Sequence, residues 1–282
     1  MSTFNTHQDQ FLYITCALLA LFSIIAGLCQ PAIAVMAPPV DEKRKTSSAE
    51  LLVDDEFHPA SGTYYYDVFL ANMRVGKATI NVKQNGDEYT IEVSAKTRKV
   101  IHSLYKVRYR GETEMTTDPL LPRSTTIEEQ TGSKTKKYHA EFPEPNRVTS
   151  VRVEKNDGKP AKRVEQEFLS ESFVLDPFST IFLIRSLKWQ VGDVEIFDVY
   201  TGKKHYELQL VCRAETVMMF KGEKRPVWEI IPQTLSLTEP RKVKLSGFVI
   251  YLSQDKSREI LKITGEPSIG RVVARMRKFV ED

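Results

Sequence analysis

The chain has 282 residues, of which 41% are hydrophobic and 27% are charged, and its formal net charge at pH 7 is +3. These proportions are ordinary for a soluble globular protein, and the length suits one large all-β domain or two smaller domains. The charge balance, without any basic run interleaved with aromatic residues, excludes a nucleic-acid-binding function.

The N-terminal segment has the pattern of an export signal. Residues 11–29 form an uncharged apolar run, and Ala32 and Ala34 then supply the small residues that signal peptidase accepts. We therefore predict a signal peptide over residues 1–34 and a periplasmic protein. The first ten residues lack Lys and Arg, and the apolar run is long enough to span a bilayer. The alternative is thus an uncleaved segment that anchors the protein in the inner membrane and is its one membrane contact.

The segment that follows the signal lacks the composition of a folded domain. Residues 35–57 contain two prolines, a run of five charged residues at 41–45 and a serine pair, which together cannot build a core. We predict a disordered linker there, and a single β-rich domain over residues 58–282. Cys212 would be the one cysteine left after cleavage, so no intrachain disulfide is expected, and its place on an apolar strand face predicts an unreactive thiol.

Alternation of polar and apolar residues predicts an antiparallel meander in the first half of the domain. Its strands are predicted at residues 62–70, 74–83, 88–97 and 105–115. The dipeptide Asn85-Gly86 is a strong hairpin signal because both residues tolerate positive φ. Strict alternation indicates one solvated face and one buried face. A helical turn is expected at 99–104, and shorter, more polar strands near the rim follow over 123–168.

Residues 176–187 (DPFSTIFLIRSL) form the one convincing helix of the predicted domain. Asp176 suits the N-cap, and Pro177 suits the first helical position. The segment is apolar nearly all round, which predicts a buried helix rather than a surface helix. Two roles remain open. The helix either fills the core of a barrel, or it is a lid over an apolar cavity in which Phe178, Phe182 and Leu183 contact a ligand.

The meander resumes after the helix. The later strands are predicted at residues 194–200, 204–213, 216–220, 226–231, 243–253, 258–264 and 270–280. In the last strand, Val272, Ala274, Met276 and Val280 are predicted to face inward. A sheet of about a dozen strands must curl, close or split. The predicted fold is therefore all-β: an antiparallel meander curled into a barrel or a strongly curved sheet around or under the helix.

Several segments resemble, in order along the chain, those of a known protein family. They are the hairpin YYYDVFLANMRVGKATINV, residues 105–108, Asp176-Pro177-Phe178-Ser179 with Leu183-Ile184-Arg185, residues 192–206, and Tyr251-Leu252-Ser253-Gln254-Asp255 followed by Arg258. The family is that of exported bacterial proteins catalogued as domain of unknown function 3108. The resemblance covers about residues 62–280 and implies an envelope location and a β-rich fold. The family has no established activity and no assigned catalytic residues.

Residues with catalytic or ligand-binding chemistry do not form a recognisable motif. The histidines after the signal are His58, His102, His139 and His205, and none lies in a metal-binding or nucleophile-activating spacing. We expect no metal, no cofactor and no enzymatic activity. Asp67 lies in a strand rich in aromatic residues, and two roles are open for it. It is either the buried partner of Arg108 or Arg110 in an ion pair, or it is a carboxylate that binds a ligand.

Three classes of function remain open. The first is a non-enzymatic envelope protein that binds a lipid or another apolar envelope molecule, or helps to assemble one, with Asp67, Phe178, Phe182 and Leu183 as candidate ligand-binding residues. The second is a structural or interaction scaffold that holds no ligand. The third is a hydrolase assembled from distant residues. An apolar cavity under the sheet would favour the first class, a filled interior the second, and a cleft gathering histidines and carboxylates the third.

Overall fold

The computed structural model describes residues 57–98, 107–202, 204–236, 247–266 and 270–282. Over these residues it contains fifteen strands and one helix, α1 (Pro177–Ser186), which lies between β9 and β10. The strands are β1 (Gly62–Leu70), β2 (Met73–Asn85), β3 (Glu88–Thr97), β4 (Val107–Thr116), β5 (Pro122–Thr131), β6 (Lys134–Glu144), β7 (Arg147–Asn156), β8 (Lys159–Leu169), β9 (Val174–Leu175), β10 (Val194–Tyr200), β11 (His205–Phe220), β12 (Glu223–Ser236), β13 (Val249–Ser253), β14 (Ile260–Gly265) and β15 (Val272–Glu281).

Three predicted segments fall largely outside the described residues. They are the signal peptide over 1–34, the linker over 35–57 and the helical turn at 99–104. Phe57, which the predicted linker included, is described and is buried.

All fifteen strands belong to one sheet. Their order is β8-β7-β6-β5-β4-β3-β2-β1-β15-β14-β13-β12-β11-β10-β9, so the first and last strands of the domain pair in its middle. Neighbours are antiparallel except β9 and β10, which are parallel. Tight turns join most neighbours. In the β1–β2 turn, Ala71 and Asn72 both have positive φ, of 46° and 68°, the conformation that the hairpin geometry requires. The predicted all-β meander is confirmed.

The sheet curls but does not close by strand pairing. Its two ends, β8 and β9, meet instead through a few specific contacts between the two halves, a region we call the seam. The Val174 N–H donates to the carbonyl of Pro145 at 2.7 Å, and the hydroxyl groups of Ser150 and Tyr200 lie 2.6 Å apart. The Phe168 and Tyr200 rings pack with centroids 5.1 Å apart. A curl of this kind leaves one inward face on which a helix can be buried.

Helix α1 lies within this curl. All ten of its residues are buried, and its apolar side chains join the inward residues of both halves of the sheet in one core. The helix begins and ends where the sequence predicts, with Asp176 as N-cap and Leu187 as C-cap. An apolar helix with no solvated face has no stable position on a surface, and this accounts for its place in the interior.

The last strand departs from the predicted alternation. Val272, Ala274 and Met276 face inward as predicted, but Val280 is 42% exposed. The pairing of β1 with β15 shifts register between Tyr65 and Tyr66, which inserts one extra residue into β15. A one-residue shift exchanges the two faces of the rest of the strand. Phe279 therefore points inward and packs on Tyr64 with ring centroids 4.4 Å apart.

Candidate functional site

The N-terminus of α1 is capped in a fully buried environment. Asp176 Oδ1 accepts a hydrogen bond from the Phe178 N–H at 2.7 Å, and Asp176 and Ser179 form a reciprocal capping box. Burial raises the pKa of the Asp176 carboxyl, and hydrogen bonds from Ser179, the Phe178 N–H and Thr113 partly offset that rise. A buried carboxylate that is satisfied in this way fixes the entry of the chain into the helix.

The first turn of α1 packs against a glycine of the facing sheet. A Cβ atom at Gly111 of β4 would overlap the end of the Phe178 ring. Tyr109, two residues earlier in the same strand, meets Phe178 edge to face at a centroid distance of 6.4 Å. Gly111 thus provides the space that Phe178 occupies, and the sheet and the helix are complementary in shape at this point.

The C-terminal end of α1 is held by two buried arginines, which we call the arginine clamp. Arg185 donates from Nε to the carbonyl of Arg258 at 2.8 Å, and from its terminal nitrogen to the Tyr64 hydroxyl and the Ser257 carbonyl, both at 3.0 Å. In return, Arg258 donates to the carbonyls of Arg185 and Leu187. Carbonyls at a helix end lack intrahelical donors, so the clamp satisfies them and ties α1 to the β13–β14 connection.

Glu259 is the carboxylate nearest in sequence to the clamp. Burial raises the pKa of the Glu259 carboxyl, and the positive charge of Arg185 opposes that rise. Arg225 lies 3.8 Å from the same carboxylate and also pairs with Asp255. The buried positive charge of the clamp therefore has a negative group close by.

Three of the four candidate ligand-binding residues are core residues. The exposed fractions of Phe178, Phe182 and Leu183 are 0%, 1% and 3%. Phe182 also packs on the Arg185 guanidinium, which lies 5.2 Å from the ring centroid. The structure brings these three residues together inside the sheet, where they pack against protein side chains.

The fourth candidate, Asp67, lies elsewhere. It pairs with Arg74 across the β1–β2 hairpin, and the prediction of Arg108 or Arg110 as its partner is wrong. The reason is the alternation of β1: Asp67 shares the less buried face with Thr63 and Tyr65, so only a neighbouring strand reaches it. Asp67 does not join the three residues of the helix.

A polar cluster at the seam was not anticipated from the sequence. Asp198 of β10 is 1% exposed; it accepts a hydrogen bond from the Ser170 hydroxyl, and His205 Nε2 lies 3.2 Å from its carboxylate. The His205 ring stacks on Phe168 at a centroid distance of 4.6 Å. The Ser170 hydroxyl donates to the Asp198 carboxylate and not to His205, which is the base that a serine nucleophile usually requires. Because Ser170 follows β8 and Asp198 lies in β10, their hydrogen bond joins the two ends of the sheet.

Among the residues that the structure describes, an open groove lies at the β13–β14 connection. It has a volume of about 790 Å³ and is lined by Arg225, Pro226, Gln254, Asp255, Lys256 and Ser257. The tip of the β11–β12 hairpin exposes two large apolar side chains: Val217 (58%), which pairs with the groove residue Pro226, and Met219 (61%). Lys221 and Lys224 are exposed at the same tip. The tip thus combines apolar and basic groups.

The Cys212 side chain lies fully buried in the core. Burial raises the pKa of the Cys212 thiol to about 12, which keeps it protonated and unreactive at physiological pH. In the parts of the chain that the structure describes, no cluster of three His, Cys, Asp or Glu side chains could hold a metal ion. Within the same ranges, no helix has the length and apolar character needed to cross a membrane.

Two sequence signals could have identified the residues that were missed. Arg185 is the one charged residue in a helix that is otherwise apolar or hydroxyl-bearing, and a charge in a buried helix requires a nearby polar partner. Asp198 lies within the largely apolar strand VEIFDVY in the same way. The partners themselves, Arg258 and His205, carry no comparable local signal.

These observations define the class of the protein as a single curled, mainly antiparallel sheet that is not closed, with a buried helix that is capped at its N-terminus and held by the arginine clamp at its C-terminal end. A family model described as "Protein of unknown function (DUF3108)" matches residues 65–277. That match spans most of the chain, and the chain belongs to this family. A search of curated proteins found no match.

Among solved structures, the chain is similar to the crystal structure of a beta-barrel-like protein of domain of unknown function DUF1849 from Brucella abortus. The sequence identity is 8% and the TM-score is 0.49, with 79% of this chain and 98% of that chain covered.

Proposed function

We propose that the protein is a non-enzymatic, exported envelope protein that acts as an interaction scaffold and presents the surface of its curled sheet to partners. One observation carries this proposal: α1 is buried on every side, and Phe178 occupies the space that Gly111 provides. Close packing around the helix fits a scaffold, whereas a carrier of an apolar molecule requires a cavity.

A lid function for α1 would be energetically costly. Outward movement of the helix would expose Phe178 and Phe182, each worth about 1.5–3 kcal/mol of burial. It would also break the arginine clamp, leaving buried carbonyls and a buried guanidinium without partners. These costs support the role of α1 as a permanent part of the core.

The export part of the proposal rests on the predicted signal over residues 1–34. Mass-spectrometric sequencing of the protein isolated from the producing cells should find a mature N-terminus at Val35 in the periplasmic fraction. An intact Met1 terminus in the membrane fraction would instead establish the alternative, a protein anchored in the inner membrane by its uncleaved signal.

A second candidate function is supported by the tip of the β11–β12 hairpin. Exposed Val217 and Met219 beside Lys221 and Lys224 suit an apolar envelope molecule, such as a lipid with an anionic headgroup. In this case the ligand binds on the outside of the protein, and Phe178, Phe182 and Leu183 do not contact it.

Titration with a fluorescent fatty acid separates the alternatives. We expect no saturable binding to the native protein at micromolar concentrations, because all ten residues of α1 are buried and Phe178 occupies the space beside Gly111. Two variants locate any binding that is found: Phe178→Leu in the core, and Val217→Ser combined with Met219→Ser at the tip. Saturable binding that the tip variant abolishes would replace the scaffold by the second candidate. Saturable binding that only Phe178→Leu changes would restore the internal cavity and overturn the proposal.

A further inference from the structure

The edge strand β8 is the most exposed strand of the sheet. It is one end of the strand order, and nine of the eleven residues of its burial pattern are exposed. Away from the seam, where Phe168 contacts Tyr200 and His205, no strand among the described residues pairs with the outer side of β8. An edge of this kind presents unpaired N–H and C=O groups to any extended chain. Natural proteins usually protect such an edge against pairing with other chains, for example with charged side chains. The residues of β8 therefore indicate which strands can pair with it.

The pairing with β7 shows which residues of β8 face the open side. The Ser170 N–H donates to the Asn146 carbonyl, so these two residues form a hydrogen-bonded pair that continues the β7–β8 register. Hydrogen-bonded and non-hydrogen-bonded pairs alternate along an antiparallel ladder. Val164 and Gln166 therefore direct their backbone groups to β7, whereas Arg163, Glu165 and Glu167 direct theirs outward.

The charges along β8 divide between its two halves. Lys159, Lys162 and Arg163 lie in the first half, and Glu165 and Glu167 lie in the second. When a strand of this kind pairs antiparallel with a copy of itself, the positive half of each copy lies along the negative half of the other. The same charges oppose pairing with a strand that lacks this pattern.

In a dimer formed through this edge, the residues whose backbone groups point outward in one copy must pair with outward-pointing residues of the other copy. This requirement limits the possible registers between the two β8 strands. With Val164 on a two-fold axis, Arg163 of each copy lies opposite Glu165 of the other, and Ala161 lies opposite Glu167. With Arg163 on the axis instead, the two copies of Arg163 lie opposite each other, and with Glu165 on the axis, the two copies of Glu165 do so. Like charges in directly opposed positions are destabilising. One register therefore satisfies both the backbone groups and the charges.

We infer that β8 is a homodimerisation edge, through which two copies of the chain join their sheets antiparallel about a two-fold axis at Val164. Arg163 and Glu165 already form an ion pair within each strand, with a nitrogen–oxygen distance of 2.8 Å. In the dimer the two pairs combine into a network of four charges at the centre of the interface. Such an isologous contact is closed, so it stops at two copies. The inference goes beyond the proposed function, since it does not depend on whether the interior or the hairpin tip binds a ligand.

Charge exchange at the interface tests the inference on the purified exported protein. Sedimentation equilibrium of the native protein, at about 1 to 100 μM to bracket a weak strand-pair interface, should show a doubling of mass. The Arg163→Glu and the Glu165→Arg variants should each remain monomeric, because each places like charges opposite one another. Mixing the two variants should yield a heterodimer, and the double variant should recover the native dimer. Both side chains are more than 60% exposed, so neither change should disturb the fold of the monomer, which the far-ultraviolet circular dichroism spectrum checks.

Two outcomes would overturn the inference. The first is a native protein that stays monomeric over the whole concentration range. The second is a dimer that both single variants retain, since this would place the contact on another surface, such as the apolar hairpin tip. The Glu165→Pro variant provides an independent check: it removes an N–H that points to solvent in the monomer, so it should abolish the dimer and leave the fold intact.

Discussion

Replacement of Phe182 by alanine should lower the free energy of unfolding by about 3–5 kcal/mol, the usual cost of truncating a buried phenylalanine. Phe182 is 1% exposed and packs on the Arg185 guanidinium, so the change removes apolar contacts and weakens the arginine clamp together. Urea denaturation followed by circular dichroism measures the effect. The melting temperature should fall by roughly 2–4 °C for each kcal/mol.

Met73→Ala is the matched control for this prediction. Met73 is also a large apolar residue, but it is 66% exposed, so its truncation should change the stability by less than about 0.5 kcal/mol. An unchanged melting temperature for Phe182→Ala would contradict the role of α1 as the core element of the fold, and the scaffold proposal with it.

Replacement of Arg185 by methionine should cost about 3 kcal/mol or more, since each buried polar group left without a partner costs about 1–3 kcal/mol. Methionine retains much of the apolar stem of arginine, so the loss reports mainly on the hydrogen bonds. The carbonyls of Ser257 and Arg258 and the hydroxyl of Tyr64 would all lose the donor that Arg185 provides. Thermal and urea unfolding give the magnitude.

The surface arginine Arg213 provides the comparison. It pairs with Glu229, but its side chain is 51% exposed, and Arg213→Met should cost less than about 1 kcal/mol. Combining Arg185→Met with Arg258→Met should cost less than the sum of the single changes, because both side chains hold the same contact between the end of α1 and the β13–β14 connection, so the loss of either one already loosens it. Additive effects would show that the two arginines do not act as one clamp.

Both predictions concern a helix whose position explains the family motifs around it. The segment Asp176-Pro177-Phe178-Ser179 forms the cap and the contact with Gly111, and Arg185 with Arg258 forms the clamp. Each of these residues has a structural role that can be stated in terms of hydrogen bonds or packing. These roles are structural, which is consistent with the proposal that partners contact the surface of the protein, where the hairpin tip and the β8 edge lie.

Local sequence patterns predicted the elements because the physics that specifies them is local. Strict alternation in residues 88–97 requires one buried and one solvated face, and Asp176-Pro177 stops the chain from entering a helix earlier. The helix boundaries, the hairpin turns and the inward residues of the first half of β11 could therefore be predicted from neighbours a few positions apart. The predicted break between residues 213 and 216 is wrong, since β11 is one continuous strand with a register shift between Cys212 and Ala214. The assignment of Phe178, Phe182 and Leu183 to the interior followed from the same reasoning.

The tertiary structure alone decided how these elements meet. The extra residue in β15 that exchanged Val280 for Phe279 depends on the pairing with β1, more than 200 residues away. The partner of Asp67 and the contacts of Asp198 were likewise set by which strands became neighbours and not by local spacing. Whether the helix covers a cavity or fills the core depends on Gly111, whose missing side chain matters only because Phe178 faces it. Composition and periodicity determined a curled sheet around a buried helix, since burial of apolar faces is a property of each segment. Long-range packing determined what fills the curl and which strand edge stays open, since these depend on the shapes of residues that the chain brings together only on folding.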